Sequence, residues 1–209
     1  MISIETASAF FAASILLALA PGPDNIFVLT QSAIQGRSAG LMVMLGLCTG
    51  LVVHSSAVAL GVAVIFQTSA LAFTGLKLVG VGYLVYLAWQ AFTAEAGTIQ
   101  ADDEQCKVTY TKLYARGIIM NITNPKVSIF FLAFLPQFAD PQRGAISLQM
   151  LMLGGLFILA TILIFGTIAM MAGTLGLYLK QSCKAQRVLN KMAGTVFLGL
   201  SLKLAITKQ

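Results

Sequence analysis

Apolar residues in this chain come in six long runs, separated by short polar stretches. The runs cover roughly residues 5–34, 38–66, 70–92, 115–138, 146–179 and 188–206. Each is close to or above the roughly 20 residues that a helix needs to cross about 30 Å of hydrocarbon. Within the runs the apolar residues are continuous rather than alternating, which excludes the strands of a membrane β-barrel. Leu148 to Leu179 contains no charged residue. The predicted fold is all-α: a polytopic membrane bundle of six transmembrane helices forming one domain over residues 1–209. A polar linker, 94–113, containing Asp102-Asp103-Glu104, separates a half at about 1–93 from a half at about 114–209.

Two of the six runs are interrupted near their middles. The first contains Ala20-Pro21-Gly22-Pro23-Asp24-Asn25, and the fourth contains Asn121-Ile122-Thr123-Asn124-Pro125-Lys126. Proline has no N–H to give and clashes with the preceding turn. Backbone groups released inside lipid need protein partners or a wet cavity. Pro21 and Pro125 are 104 positions apart in a chain of 209, so each half holds three helices with the first one broken. Three crossings per half force the halves into opposite orientations. The pattern therefore predicts a 3+3 inverted repeat with broken helices 1 and 4, the architecture that places a transport site at mid-membrane.

Composition fits this picture. Hydrophobic residues make up 58% and charged residues 10%, with a mean hydropathy of +0.88. A water-soluble domain carries more charge. The net charge of +6 is concentrated in connections. Arg37, Lys107, Lys112, Arg116, Lys180, Lys184, Arg187 and Lys191 fall on one side of a six-span topology, with Arg143, Lys203 and Lys208 on the other. The basic side is predicted to be cytoplasmic, which places both termini outside. A five-span reading, with one run re-entrant, would bring the C-terminus inside. No basic patch interleaved with aromatics points to nucleic acid. Ala18-Leu19-Ala20 resembles a signal cleavage site, but Glu5 stands where a positive segment is expected and Pro21 would follow the cut. The first run is read as a retained helix. Gly46 and Gly50 are spaced to let helix backbones approach closely.

Asp24, His54, Lys77 and Lys126 are ionisable residues set within the apolar spans. A charge at mid-membrane costs roughly 2.5–3.5 kcal/mol and usually faces a cavity or a partner. Asp24 and Lys126 adjoin the two breaks. Lys126 or a helix N-terminus suits a carboxylate, and Asp24 with Asn25 or freed carbonyls suits an ammonium group. A structural Asp24–Lys126 ion pair is the competing reading. His54 either packs as a neutral hydrogen-bonded ring or relays a proton. Lys77 lies where it can snorkel to the interface.

These motifs carry a family resemblance. PGPDNIFVLTQSAIQGRSAG (21–40), LKLVGVGYLVYLAW (76–89) and NPKVSIFFLAFLPQF (124–138) closely resemble helix 1, 3 and 4 motifs of the LysE/RhtB amino-acid exporters. The matching signature positions are Pro21, Gly22, Pro23, Asn124, Pro125 and Lys126. The resemblance implies a multi-pass protein of the bacterial inner membrane that exports an amino acid or related metabolite by proton antiport. It implies no cofactor and no covalent chemistry. Some branches carry a carboxylate within helix 2 or after the NP motif, where this chain has Leu51 and His54 or Phe130. That places it nearer the homoserine/threonine/leucine-type branch than the exporters of basic amino acids.

The reading is thus a secondary active exporter working by alternating access, not an enzyme, in a membrane lipid setting. Its predicted substrate-binding residues are Pro21, Gly22, Pro23, Asp24, Asn25, Asn124, Pro125 and Lys126, with Asp24 and His54 as proton carriers and no metal site. Homo-oligomerisation is left open. One alternative is a membrane thiol-redox carrier, although Cys48, Cys106 and Cys183 form no close pair in sequence. An intramembrane hydrolase would need a base near Ser55 or Ser56, and lone His54 has no HExxH context. A membrane subunit without transport activity is the remaining alternative.

Overall fold

The computed structural model describes the backbone of residues 2–68, 70–94, 108–181 and 183–206, and their side chains except within 62–70, 72–73 and 173–186. Cys106 and the side chain of Cys183 lie outside this set, as does the acidic stretch at 102–104. The described residues form helices and no strand. The helices are α1 (Ile4–Leu19), α2 (Pro23–Gln35), α3 (Arg37–Thr68), α4 (Ala70–Thr93), α5 (Tyr110–Thr123), α6 (Pro125–Ile129), α7 (Ile146–Gln181) and α8 (Cys183–Ile206). α5 starts at Tyr110, inside the stretch assigned to the linker, with extended Thr109 at its N-cap position.

α3, α4, α7 and α8 are each long and apolar enough to cross a membrane alone. α1 and α2 have 16 and 13 residues. At 1.5 Å per residue, each falls short of about 30 Å. They cross together, bent by 60°, and Tyr110–Thr123 with Pro125–Phe138 forms a second pair bent by 51°. Each bent pair, taken as one span, is long and apolar enough to cross. Counted this way the bundle has six spans.

The turn between α2 and α3 is made at Gly36, whose φ of 90° suits glycine and strains an L side chain. After α6 the chain widens into a π-helical turn over Phe130–Phe134 and then tightens into a 3-10 turn over Leu135–Phe138. Pro136 accounts for the change, since it has no N–H for Leu132 four residues earlier. Leu135 N–H reaches back to Phe130 O instead.

α3 packs on α5 and α7, α7 packs on α1 and α2, and α4 lies along α8. Exchanging the halves turns the α3–α5 contact into α7–α1 and maps α3–α7 and α4–α8 onto themselves. The exceptions are α2 on α3 and α2 on α7, which have no equally extensive counterparts between α6 and α7 or between α6 and α3. Close approach of α3 and α5 depends on glycine. A Cβ on Gly46 would collide with the Tyr114 carbonyl, and one on Gly117 would lie 2.5 Å from Val43 O. The Gly46/Gly50 spacing serves the predicted purpose.

Polarity is inverted relative to a soluble protein. Large apolar side chains such as Leu60, Leu78, Trp89 and Leu163 point outward, while Asp24, Gln31, Asn121, Asn124, Gln149 and Thr161 are buried. The buried apolar residues form two blocks. One gathers Phe10, Leu17, Phe130, Phe131, Phe134, Phe157 and Leu204; the other gathers Val28, Val43, Leu47, Leu113, Phe165 and Ala169. The two helix breaks lie where these blocks meet.

Candidate functional site

The first break follows directly from its sequence. Pro21 cannot donate to Leu17 O, and Pro23 cannot donate to Leu19 O. α1 therefore stops at Leu19, with Ala20 N–H closing its last turn on Leu16 O at 3.1 Å. Gly22 is extended, and Pro23 opens α2 at a position where a missing N–H costs nothing. The freed carbonyls are answered by side chains. Lys126 Nζ donates to Leu17 O at 3.3 Å and Ala20 O at 3.0 Å, and Asn25 Nδ2 donates to Ala18 O at 2.7 Å. An ammonium from the other broken span thus sits at the negative end of α1, where the helix dipole favours a cation. Gly22 leaves room for it, since a Cβ there would stand 3.2 Å from Nζ.

The second break repeats the logic with different partners. Pro125 deprives Asn121 O of its helical donor. That carbonyl accepts from Asn124 N at 3.1 Å and from His54 Nε2 at 3.2 Å. A carbonyl only accepts, so His54 carries its proton on Nε2 in this geometry. The ring also leans on Phe131, with centroids 5.6 Å apart. Asn124 caps α6, its Oδ1 accepting from Lys126 N at 3.0 Å.

Between the breaks lies a hollow of about 20 Å³. Asp24, Asn121, Lys126 and Thr161 line it with Leu17, Ala18, Val127, Phe157 and Phe165. It offers room for about one water molecule. Asp24 is 4% exposed, and the Lys126 ammonium is the charge that acts on its carboxylate. Asp24 and Lys126 do not close to the 4.0 Å of an ion pair. Four buried polar atoms here have no hydrogen-bond partner: Asp24 Oδ1, Asn25 Oδ1, Asn121 Oδ1 and Asn124 Nδ2. Each such group costs roughly 1–3 kcal/mol. They belong to residues at the two breaks, and a bound polar solute or water would satisfy them.

Of the predicted residues, Asp24 and Lys126 line the hollow, and Asn25 and Asn124 stand beside it. Pro21, Gly22, Pro23 and Pro125 are outside the lining; Pro23 and Pro125 are exposed on the bundle surface. These four open the backbone rather than face the hollow. His54 reaches the site through the Asn121 carbonyl. Lys77 on α4 is half-buried and outside the lining. Asn121 was legible as a polar residue one turn before Asn124. Thr161, Phe157 and Phe165 carried no signal, because α7 is apolar throughout and its facing side appears only on packing. Among the described residues no group of three or more potential ligands could hold a metal ion.

A six-span helical bundle with two interrupted helices enclosing polar groups at their junction has the build of a membrane transporter. The chain belongs to the LysE type translocator family, whose model matches residues 15–208. It is 34% identical over 197 residues to the homoserine/homoserine lactone efflux protein of Salmonella typhimurium, covering 94% of each chain. It is also 32% identical over 201 residues to an uncharacterised membrane protein of Vibrio cholerae, covering 96% of each. A membrane protein of Bacillus subtilis is 27% identical over 208 residues, covering 95% of this chain and 98% of its own. No solved structure matches the chain.

Proposed function

We propose that this membrane exporter is a secondary active transporter of a small amino acid or close derivative. It moves its solute out of the bacterial cytoplasm in exchange for protons, by alternating access between two inverted halves. The observation that carries the reading is the set of four unpartnered polar atoms buried around Asp24, beside an ammonium that bridges two broken helices. The efflux relatives are named for homoserine and its lactone. Those two molecules share an amine, whereas only homoserine has a free carboxylate. Asp24 is therefore the principal substrate contact, taking the ammonium with the Asn121 and Asn25 oxygens beside it. Lys126 takes a carboxylate when the substrate has one, trading its bonds to Leu17 O and Ala20 O for it.

The hollow of about 20 Å³ is far below the roughly 300–1,000 Å³ of small-molecule pockets. Substrate entry requires the two apolar blocks to separate alternately, one on each side of the breaks. The helices are already interrupted there, so motion costs few intact backbone bonds. Asp24, or His54 beside the Asn121 carbonyl, carries the exchanged proton. The basic connections face the cytoplasm and both termini face the periplasm.

The test is efflux of radiolabelled L-homoserine from preloaded inverted and right-side-out vesicles, with and without an imposed pH gradient. Export accelerated by the gradient in wild type and lost in Asp24→Asn, at matched membrane abundance, is expected. Efflux that ignores both the gradient and the Asp24 variant removes proton exchange and the central site together.

A further inference from the structure

A second hollow, of about 390 Å³, opens at the end of the bundle opposite the basic connections. Its polar wall is Glu5, Thr6, Gln137, Asp140 and Lys203, and its floor includes Phe134 and Phe138. The volume is within the range of small-molecule pockets. Both charge signs line it. The Asp140 backbone is clamped by buried Gln149, whose Oε1 accepts from Asp140 N at 3.0 Å and whose Nε2 donates to Asp140 O at 2.8 Å, and its carboxylate already accepts from Gln142 N at 2.9 Å and Arg143 Nε at 3.1 Å. Lys203 Nζ stands 4.3 Å over the centre of the Phe138 ring. Glu5 is exposed on the first turn of α1, whose start is fixed by the Ser3 cap on Thr6 N.

This vestibule is separated from the central hollow by stacked rings. Phe138 and Phe134 are 5.1 Å apart, Phe134 and Phe130 4.8 Å, and Phe130 and Phe157 5.2 Å. The first two rings line the vestibule and the last lines the central hollow. Three of the four sit on the π-helical and 3-10 turns after α6, where the backbone departs from the regular ladder. The two hollows are thus distinct compartments joined by an apolar plug.

From this arrangement we infer that the vestibule is a second binding site. It takes a small zwitterionic amino acid, its ammonium toward Glu5, with the Arg143-paired Asp140 behind it, and its carboxylate toward Lys203. The inference rests on the exporter reading for its ligand class and for the vestibule facing outward. A site there holds the solute after release from the centre, and outside solute reaches the protein there first.

Exchange kinetics in right-side-out vesicles separate the two sites, with L-homoserine as probe. Lys203→Gln and Glu5→Gln are each expected to raise the half-saturation concentration for external L-homoserine about tenfold, the loss of one charge-assisted hydrogen bond. Half-saturation for internal L-homoserine in efflux stays within about twofold. Lys203→Arg restores external affinity, and Lys203→Gln leaves homoserine lactone, which has no carboxylate, unaffected. External affinity unmoved in both Lys203→Gln and Glu5→Gln, or lowered equally on both sides, overturns the vestibule site. Asp24→Asn distinguishes the readings: if it leaves transport intact while Lys203→Gln shifts external affinity, the central site fails and the vestibule stands.

Discussion

The two helix breaks share a cause but not a remedy. In the first, Pro21 strips Leu17 O of its donor, and a charged side chain from the opposite half replaces it at 3.3 Å while also holding Ala20 O. In the second, Pro125 strips Asn121 O, and a ring from α3 answers at 3.2 Å with help from the local Asn124 N–H. Charge-assisted hydrogen bonds are roughly twice as strong as neutral ones. Both contacts cross between the halves, but the first is the stronger tie, and the second is partly self-capped. What the difference teaches is that Lys126 has two duties, as a cross-half tie and as the cation of the central site, while His54 supports one carbonyl.

Substitutions sharpen this contrast. The largest effect is expected from Lys126→Ala, which orphans two carbonyls and removes the site's ammonium. Stability should fall by about 3 kcal/mol, at roughly 1–3 kcal/mol per abandoned group, and efflux by at least about 100-fold, the equivalent of 2.7 kcal/mol or more. Thermal unfolding in detergent and vesicle efflux read the two losses; a variant with normal efflux would show that the tie is not part of transport.

Asp24→Asn comes next. It keeps the shape but not the charge, so efflux should drop by about 100-fold while the unfolding temperature is held or raised, since burying an unpaired carboxylate is costly. A clear loss of stability would mean that Asp24 is structural.

A third effect is expected from Gly50→Ala on α3. Its Cβ would lie 2.6 Å from Asn121 Oδ1 and 2.7 Å from Asn121 Cβ, so Asn121 must shift within the site. Overpacking of this kind costs about 1–3 kcal/mol, and substrate half-saturation should rise several-fold. Gly61→Ala on the same helix, where nothing stands within 4 Å, is the matched control and should behave as wild type.

His54→Ala should cost least, about 0.6 kcal/mol, the average for a polar contact between membrane helices. If His54 only supports Asn121 O, His54→Gln, which keeps a donor, recovers the loss and preserves the response of efflux to a pH gradient. A gradient response lost in His54→Gln would assign the proton to the imidazole.

Much of this was legible in the chain itself. Continuous apolar runs decide where helices lie, because lipid requires each backbone to satisfy its own hydrogen bonds. Pro21 and Pro125 decide where two of them fail, because the missing N–H is a covalent fact. Asp24 and Lys126 stood out because a charge in hydrocarbon is too costly to be incidental. The rest depended on packing across the bundle. That the Lys126 ammonium goes to α1 carbonyls rather than to an Asp24 ion pair, that His54 meets Asn121, and that Thr161 and Phe157 enter the hollow are matters of which helix faces meet. So is the sorting of Glu5, Asp140 and Lys203 into one vestibule, from positions nearly two hundred residues apart. One-dimensional spacing specifies which groups are released at a break; only three-dimensional proximity selects the partner that answers them.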